Sequence, residues 1–355
     1  MWAAKNGARS VFKIGLLYGL KFCGGFALAR YLTRRSLRIL CYHGVSLSDE
    51  HAFRQRLFMR PETFRRRMEH LRRAGYFVLP LAQGLDRLRD GTLPTSSVAI
   101  TIDDGWYGSL RGAFPVLRDF GLAATLYVTT YYVYRRAPVF DVMIAYLFWK
   151  AEATTIEFDG LCSGLAGRWN LSSETAREKA ADFVVQHGNA TLTADERVDI
   201  THRLAARLGL DYGDVTKERL FHLMSPEDLE GLVEEGVDVQ LHTHRHTFDL
   251  TDRESAQREI SDNREKLEPL VGKRLDHFCY PSGAFHPRVW PWLEEMGIRS
   301  ATTTAVGLCR RETPRYALPR IVDGENVPDI EFEAEMTGTL EIVRRVRARL
   351  LGVSS

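Results

Sequence analysis

Several things are scarce in this 355-residue chain, and each scarcity narrows what it can be. There are only five cysteines (Cys23, Cys41, Cys162, Cys279 and Cys309), odd in number and without a C-x-x-C pair. That excludes a disulfide framework and points to buried thiols in a reducing compartment. No surplus of one charge exists, since 48 basic residues face 46 acidic ones for a net +2. The whole-molecule field therefore gives no argument for nucleic acid, and no basic stripe with interleaved aromatics appears. The short basic clusters at Arg34-Arg35, Arg65-Arg66-Arg67 and Arg344-Arg345 are expected to be solvated helix faces. Long apolar runs are also missing. The stretch 11–29 is interrupted by Lys13 and Lys21 and weakened as a helix by Gly15, Gly19, Gly24 and Gly25. A spanning helix needs about 18 uninterrupted apolar residues, so none is expected. Lys5 and Arg9 ahead of the run leave a signal peptide open, although Lys21 falls inside its core. A helix lying on a membrane surface, or packed on the protein, fits the stretch better. The expected location is cytoplasmic or peripheral at a membrane, with secretion left open.

What is present is an ordinary globular composition, 45% hydrophobic and 26% charged, enough to build a sizeable core. From about residue 36, apolar strand-like segments alternate with helical ones. Strands are expected at 37–42, 98–102, 124–128, 237–241, 277–280 and 298–303, and helices at 61–75, 114–121, 225–236 and 287–297. Ser225-Pro226-Glu227-Asp228 supplies an N-cap, a proline in the first turn and first-turn acid, and Gly236 the stop. Such alternation predicts an α/β fold with a parallel sheet and functional residues at the C-terminal ends of its strands. Residues 131–222 break the rhythm. They read as a mostly helical, polar insertion without clear strand partners, placed to shape substrate entry or bind a partner. Residues 339–351 form a basic amphipathic helix, expected to pack on the domain or touch a membrane surface. The resulting division is an N-terminal arm (1–35), an alternating strand–helix unit (36–130 and 223–330), the insertion (131–222) and a C-terminal basic helix (331–355).

Two clusters carry chemistry. Asp103 and Asp104 end an apolar strand just before Gly105, where adjacent carboxylates repel and something cationic must keep one ionised. Taken alone they also read as an N-cap pair or a solvated turn. His242-Thr243-His244-Arg245-His246 follows another apolar strand. Histidines at i and i+4 converge on one metal from a helical turn or a tight loop, and two imidazoles with one carboxylate leave the open positions a catalytic metal needs. The H-E-x-x-H signature of zinc proteases is absent.

Together, T-I-D-D-G-W at 101–106 and H-T-H-R-H at 242–246 resemble the first two motifs, T-F-D-D-G and H-[S/T]-x-x-H, of the NodB-homology polysaccharide deacetylases, carbohydrate esterase family 4. The resemblance extends through residues 37–130 and 223–322. It implies a distorted (β/α)7-type barrel carrying a helical insertion, and a hydrolase that removes N-acetyl groups from an acetylated glycan with a divalent metal, zinc by expectation. By position, Asp104, His242 and His246 are implied as metal ligands and Asp103 as the base that activates water. His244 has no family role and is expected at the surface or behind the ligands.

Two departures from the family pattern stand out. Its R-x-P-Y motif corresponds to Cys279-Tyr280-Pro281-Ser282, without the arginine or the tyrosine, although Ser282 still offers a backbone N–H to an oxyanion. Its L-x-H motif, source of the general acid, corresponds to Leu318-Pro319-Arg320. Replacements are available in the chain. Tyr42-His43-Gly44-Val45 resembles the Y-H-x-V element of a subgroup related to poly-β-1,6-N-acetylglucosamine deacetylases, in which an early histidine is implicated as acid. The reading is therefore a swap, with His43 as acid and Arg320 as partner of Asp103, both within one-water reach of the site. The alternative for His43 is a hydrogen-bonded core histidine. Trp106, Tyr107 and Tyr280 are candidate flat surfaces for sugar rings. Two other functions remain open from sequence: a glycan-binding or scaffolding member with weak catalysis, and an O-acetyl esterase.

Overall fold

The computed structural model describes residues 7–350, so Lys5, position 351 of the expected C-terminal helix and the residues beyond it lie outside the described part. Two N-terminal helices, α1 (Gly7–Phe22) and α2 (Gly25–Leu32), lead into the first strand. Seven strands then close a ring. In chain order they are β1 (Arg38–Tyr42), β2 (Ser97–Ile102), β3 (Ala124–Val128), β4 (Asp238–Leu241), β5 (His277–Cys279), β6 (Ser300–Val306) and β7 (Leu318–Val322). Each pairs in parallel with its neighbours, and β1 closes the barrel by pairing with both β2 and β7, Leu40 lying opposite Ile100 and Ile321. The expected (β/α)7-type barrel is what forms.

The physical cause is that these strands are apolar on both faces. Outward side chains such as Leu40, Ile100, Leu126, Val239 and Ile321 pack beneath the surrounding helices. Inward ones form two layers. Near the N-terminal mouth, Ile39, Ala99, Tyr127 and Leu318 make an apolar plug, closed by Leu81 and Leu88 of the helix Leu81–Asp90. Toward the C-terminal ends the interior turns polar, with Thr101, Asp103, His242 and Arg320 all buried. The expected cap holds as well: the Ser225 side chain accepts from the Asp228 N–H, and Asp228 reciprocates.

Four details depart from the sequence reading. The strand β7 was not foreseen, because Pro319 sits within it. A register shift between β6 and β7 falls at this point, where a strand tolerates the missing N–H. Residues 131–222 contain an antiparallel pair, Thr155–Glu157 with Arg168–Asn170, besides the helices Phe140–Lys150, Glu174–Thr191 and Ala194–Arg207. The insertion also shares one continuous apolar core with the barrel, through residues such as Met143, Phe148, Val184 and Leu204. Arg67 is no solvated residue of a basic face. It is 2% exposed and its guanidinium pairs with Asp323, just beyond β7, and with Asp329. Of the cysteines, only Cys41, Cys279 and Cys309 are buried, while Cys23 is exposed.

The segment after β1 runs under a short helix, Tyr107–Gly112, that follows the Asp103-Asp104 loop. Their approach is possible only because Gly108 lacks a side chain, since a Cβ there would sit 2.0 Å from the Val45 carbonyl oxygen. Gly108→Ala is expected to destabilise the protein by about 1–3 kcal/mol through overpacking. A thermal midpoint unchanged from the parent would contradict this account of the contact.

Candidate metal centre

Asp103 follows β2 directly and donates its backbone N–H to Tyr42 O. In a continuing strand, adjacent side chains would point to opposite faces. Here Asp104 takes φ 71° and Gly105 φ 90°, so the chain turns sharply and both carboxylates end beside His242. The second loop does the same after β4. Thr243 at φ 64° and His246 at φ 58° curl the segment, bringing the His242 and His246 rings to 5.0 Å. It is the tight-loop alternative, not a helical turn.

The Asp104 Oδ1 atom lies 3.2 Å from His242 Nε2 and 3.5 Å from His246 Nε2, and the three ligand atoms fall within 4.8 Å of one another. The other Asp104 oxygen accepts the Trp106 indole N–H at 2.7 Å. His242 donates Nδ1–H to the Cys279 carbonyl at 2.8 Å, which turns Nε2 toward Asp104; without a cation Nε2–H donates to that carboxylate, and a bound cation would take the proton's place. Burial disfavours a proton on His242, but Cys279 and Asp104 beside it raise its pKa well above the ordinary value. Burial alone would raise the Asp104 pKa too; the hydrogen bond from His242 and the nearby His246 hold it far below the usual range. At His246, 42% exposed, burial prevails over the pull of Asp104 and lowers the pKa. Negative potential focused between these groups favours a cation there.

Two further clusters, Cys41 with His43 and Asp103, and Asp103 with His242 and Cys279, also bring ligand atoms within 4.8 Å. Both rely on Asp103, which is already engaged. Arg320 donates Nη1–H to Asp103 Oδ1 at 2.8 Å and Nη2–H to Oδ2 at 2.7 Å, a bidentate pair with both side chains buried. Burial pushes the Cys41 thiol well up, which disfavours the thiolate a metal needs. The Asp104 triad is the better-fitting donor set.

His43 lies at the rim of this pair. Its Nε2 is 3.8 Å from Asp103 Oδ2, its side chain is 18% exposed, and Ser109 Oγ–H anchors its carbonyl at 2.7 Å. Its Nδ1 has no hydrogen-bond partner among the described residues. Ser282 follows β5 in the left-handed region at φ 54° and is exposed.

Two residues expected as sugar platforms are placed otherwise. Tyr280 is 1% exposed, packs among Phe248, Phe278 and Phe285, and donates its hydroxyl to Tyr316 O. Trp106 is buried against Phe58, so its N–H orients a carboxylate and its faces are covered. Tyr107 has the Arg219 guanidinium over its ring at 3.7 Å.

The sequence reading also missed Asn263, on the long helix Arg253–Val271. Its Oδ1 accepts the His242 N–H, and its Nδ2 donates to Val128 O and Thr130 Oγ1. Thr130 Oγ1 in turn meets His244 Nδ1 at 2.8 Å, so His244 buttresses the loop from behind. An uncharged asparagine within a polar helix carries no sequence signal of this role. The insertion clamps both loops: its Tyr131 N–H donates to His244 O, and its His222 O accepts the Tyr107 N–H just after the Asp103-Asp104 turn.

The Asp103 pKa would rise through burial, but the Arg320 guanidinium lowers it from 3.8 to about 2. A carboxyl depressed in the folded state stabilises fully above its unfolded value, and that contribution is lost as pH falls through about 2. Arg320→Met is expected to cost about 3–5 kcal/mol at neutral pH by leaving a buried charge unpaired. Acid unfolding should then begin at higher pH, because burial of Asp103 is no longer opposed. Urea titrations at neutral pH and in acid check both, and a variant with parental stability at neutral pH would refute the pairing.

The polysaccharide deacetylase family model matches residues 90–301. No curated protein matches the chain. Among solved structures, the Streptococcus pyogenes deacetylase PplD in complex with acetate is similar over 86% of this chain and 99% of its own, at 16% identity and TM-score 0.56. IcaB from Ammonifex degensii matches 85% of this chain and 97% of its own, at 17% identity and TM-score 0.52. BC0361, a polysaccharide deacetylase from Bacillus cereus, matches 85% of this chain and 69% of its own, at 18% identity and TM-score 0.51. At such identities these structures speak for a common fold, whereas the family model spans more than half of the sequence, including both the Asp103-Asp104 and His242–His246 loops, and the chain belongs to the polysaccharide deacetylase family.

Proposed function

We propose that this protein is a metal-dependent hydrolase that removes N-acetyl groups from an acetylated glycan. One observation carries the reading: a triad of two imidazoles and a carboxylate opens beside a carboxylate held ionised by a buried arginine. Asp104, His242 and His246 would hold a divalent cation, and nitrogen and oxygen donors of this kind suit zinc. The cation would lower the pKa of water and polarise the acetamido carbonyl.

The remaining chemistry falls to the chain's own side chains. Asp103 takes the proton of the attacking water. Arg320 holds that carboxylate in its charged form and fixes both of its oxygens, so the base is oriented before substrate arrives. The Ser282 N–H donates to the developing oxyanion. His43 then gives a proton to the departing sugar amine as acetate leaves, a role supported by its position between the buried pair and solvent. The Asp103–Arg320 pair favours catalysis over a merely glycan-binding role, because it holds an ionised carboxylate beside the metal triad.

Asp104→Ala and His242→Ala are each expected to abolish tight zinc binding in calorimetry and to lower acetate release from N-acetylated oligosaccharides by at least about a thousandfold. Chelation should silence the parent, and added zinc should restore it. Retention of full activity by either variant would sink the assignment.

His43→Ala is expected to reduce kcat on N-acetyl substrates by about 10²–10⁴-fold, the usual contribution of a positioned acid. O-acetyl esters should suffer less, because an alkoxide leaves with less help than an amine. If amide turnover is unchanged and esters are preferred by the parent, the protein is an esterase on glycans and His43 is a core residue.

A further inference from the structure

The first 48 residues hold eight basic side chains and no acidic one, in a chain whose net charge is only +2. The same region is where apolar surface is left uncovered. Of fifteen large hydrophobic side chains exposed among the described residues, eleven lie on α1, α2 and the C-terminal helix Thr339–Leu350. Phe12, Phe22 and Leu350 are 77%, 89% and 82% exposed. Scattered exposed leucines need no explanation, but a concentration of this kind does.

These helices are folded onto the domain. Leu17 and Phe26 pack with Ile330 and Ala334 of the helix Asp329–Met336, and Leu340 joins them. Lys13 and Lys21 pair with Glu331 and Glu333 of that helix. The inner face of each N-terminal helix is thus occupied, and the apolar outer face is what remains. Among the described residues no single helix is long and apolar enough to cross a membrane, and α1 and α2 qualify only as a pair bent by 78°. Arg35, just after α2, and Arg347 and Arg349, on the C-terminal helix, are exposed and form no ion pair among the described residues.

We infer that α1, α2 and the C-terminal helix together form a surface that docks the protein, without spanning, onto a bilayer with anionic headgroups. Apolar side chains flanked by unpaired arginines match the acyl boundary and the headgroup layer at once. A second copy of the chain fits less well, because a symmetric contact would set the same cations against each other. The docking also has a direction. Arg38, first residue of β1, bonds to Thr33 O at the end of α2 and to Met336 O, so these helices meet the barrel at its N-terminal mouth. The Asp104 triad lies at the opposite ends of the same parallel strands. Bilayer contact therefore leaves the site turned toward the aqueous side.

The test is flotation of the full chain with vesicles of phosphatidylcholine alone and of phosphatidylcholine mixed with phosphatidylglycerol. Binding is expected to the mixed vesicles and to weaken as salt is raised. Phe12→Ser/Phe22→Ser/Leu28→Ser, all at exposed positions, should abolish flotation while the circular dichroism spectrum and thermal midpoint stay parental. Arg35→Gln/Arg347→Gln/Arg349→Gln should lower partitioning by about a hundredfold at low salt. Failure of the parent chain to float with either vesicle overturns the inference. So does undiminished flotation of the serine variant, or a parental dimer in solution that the serine variant converts to monomer.

Discussion

A guanidinium sits at the centre of this barrel with none of its surface exposed, and much of the architecture follows from what that requires. A buried charge is tolerable only when paired and fully hydrogen-bonded. Arg320 meets the requirement with groups from three other strands or their ends: Asp103 and Thr101 after and within β2, the Cys279 sulfur on β5 and the Thr303 carbonyl on β6. Slippage of β7 by one residue would turn Arg320 out of the barrel and leave Asp103 facing an apolar wall. The pair therefore ties strand register to the protonation state of the carboxylate next to the metal loop.

Around that pair the two ligand loops are held by side chains behind them and by the insertion. Asn263 fixes the start of the His242 loop and ties it to β3, while His244 and Thr130 brace it from behind. The insertion begins against one loop, at Tyr131, and ends against the other, at His222. Its packing into the main core means that it frames the site as part of the same rigid body of apolar contacts. Left-handed backbone at Asp104, Thr243 and His246 is sustained by these clamps.

Much of this was legible in the residues themselves. Apolar strands followed by chemistry-bearing residues placed Asp103-Asp104 and His242–His246 at strand ends, and the Ser225 cap marked its helix correctly. What escaped has specific reasons. Pro319 disguised β7, because proline argues against a strand unless a bulge relieves it. Asn263 has no motif, since its role depends on being opposite a backbone N–H. Trp106 and Tyr280 looked like sugar platforms because an aromatic beside a motif reads alike whether its face is open or packed. Arg67 sat in a run of three arginines, and only its helix's approach to Asp323 separates it from its solvated neighbours.

By itself the sequence determined the alternation of strands and helices, the two ligand-bearing loops and the absence of a membrane-crossing run, because periodicity and composition act over a few neighbouring residues. Tertiary structure decided what depends on distant segments meeting: that Arg320 faces Asp103 from 217 positions away, that His242 presents Nε2 because the Cys279 carbonyl takes its other nitrogen, and which apolar helix faces stay uncovered. Charge pairing and ring orientation are set by distance and direction in space, and closure of the barrel is what supplies both.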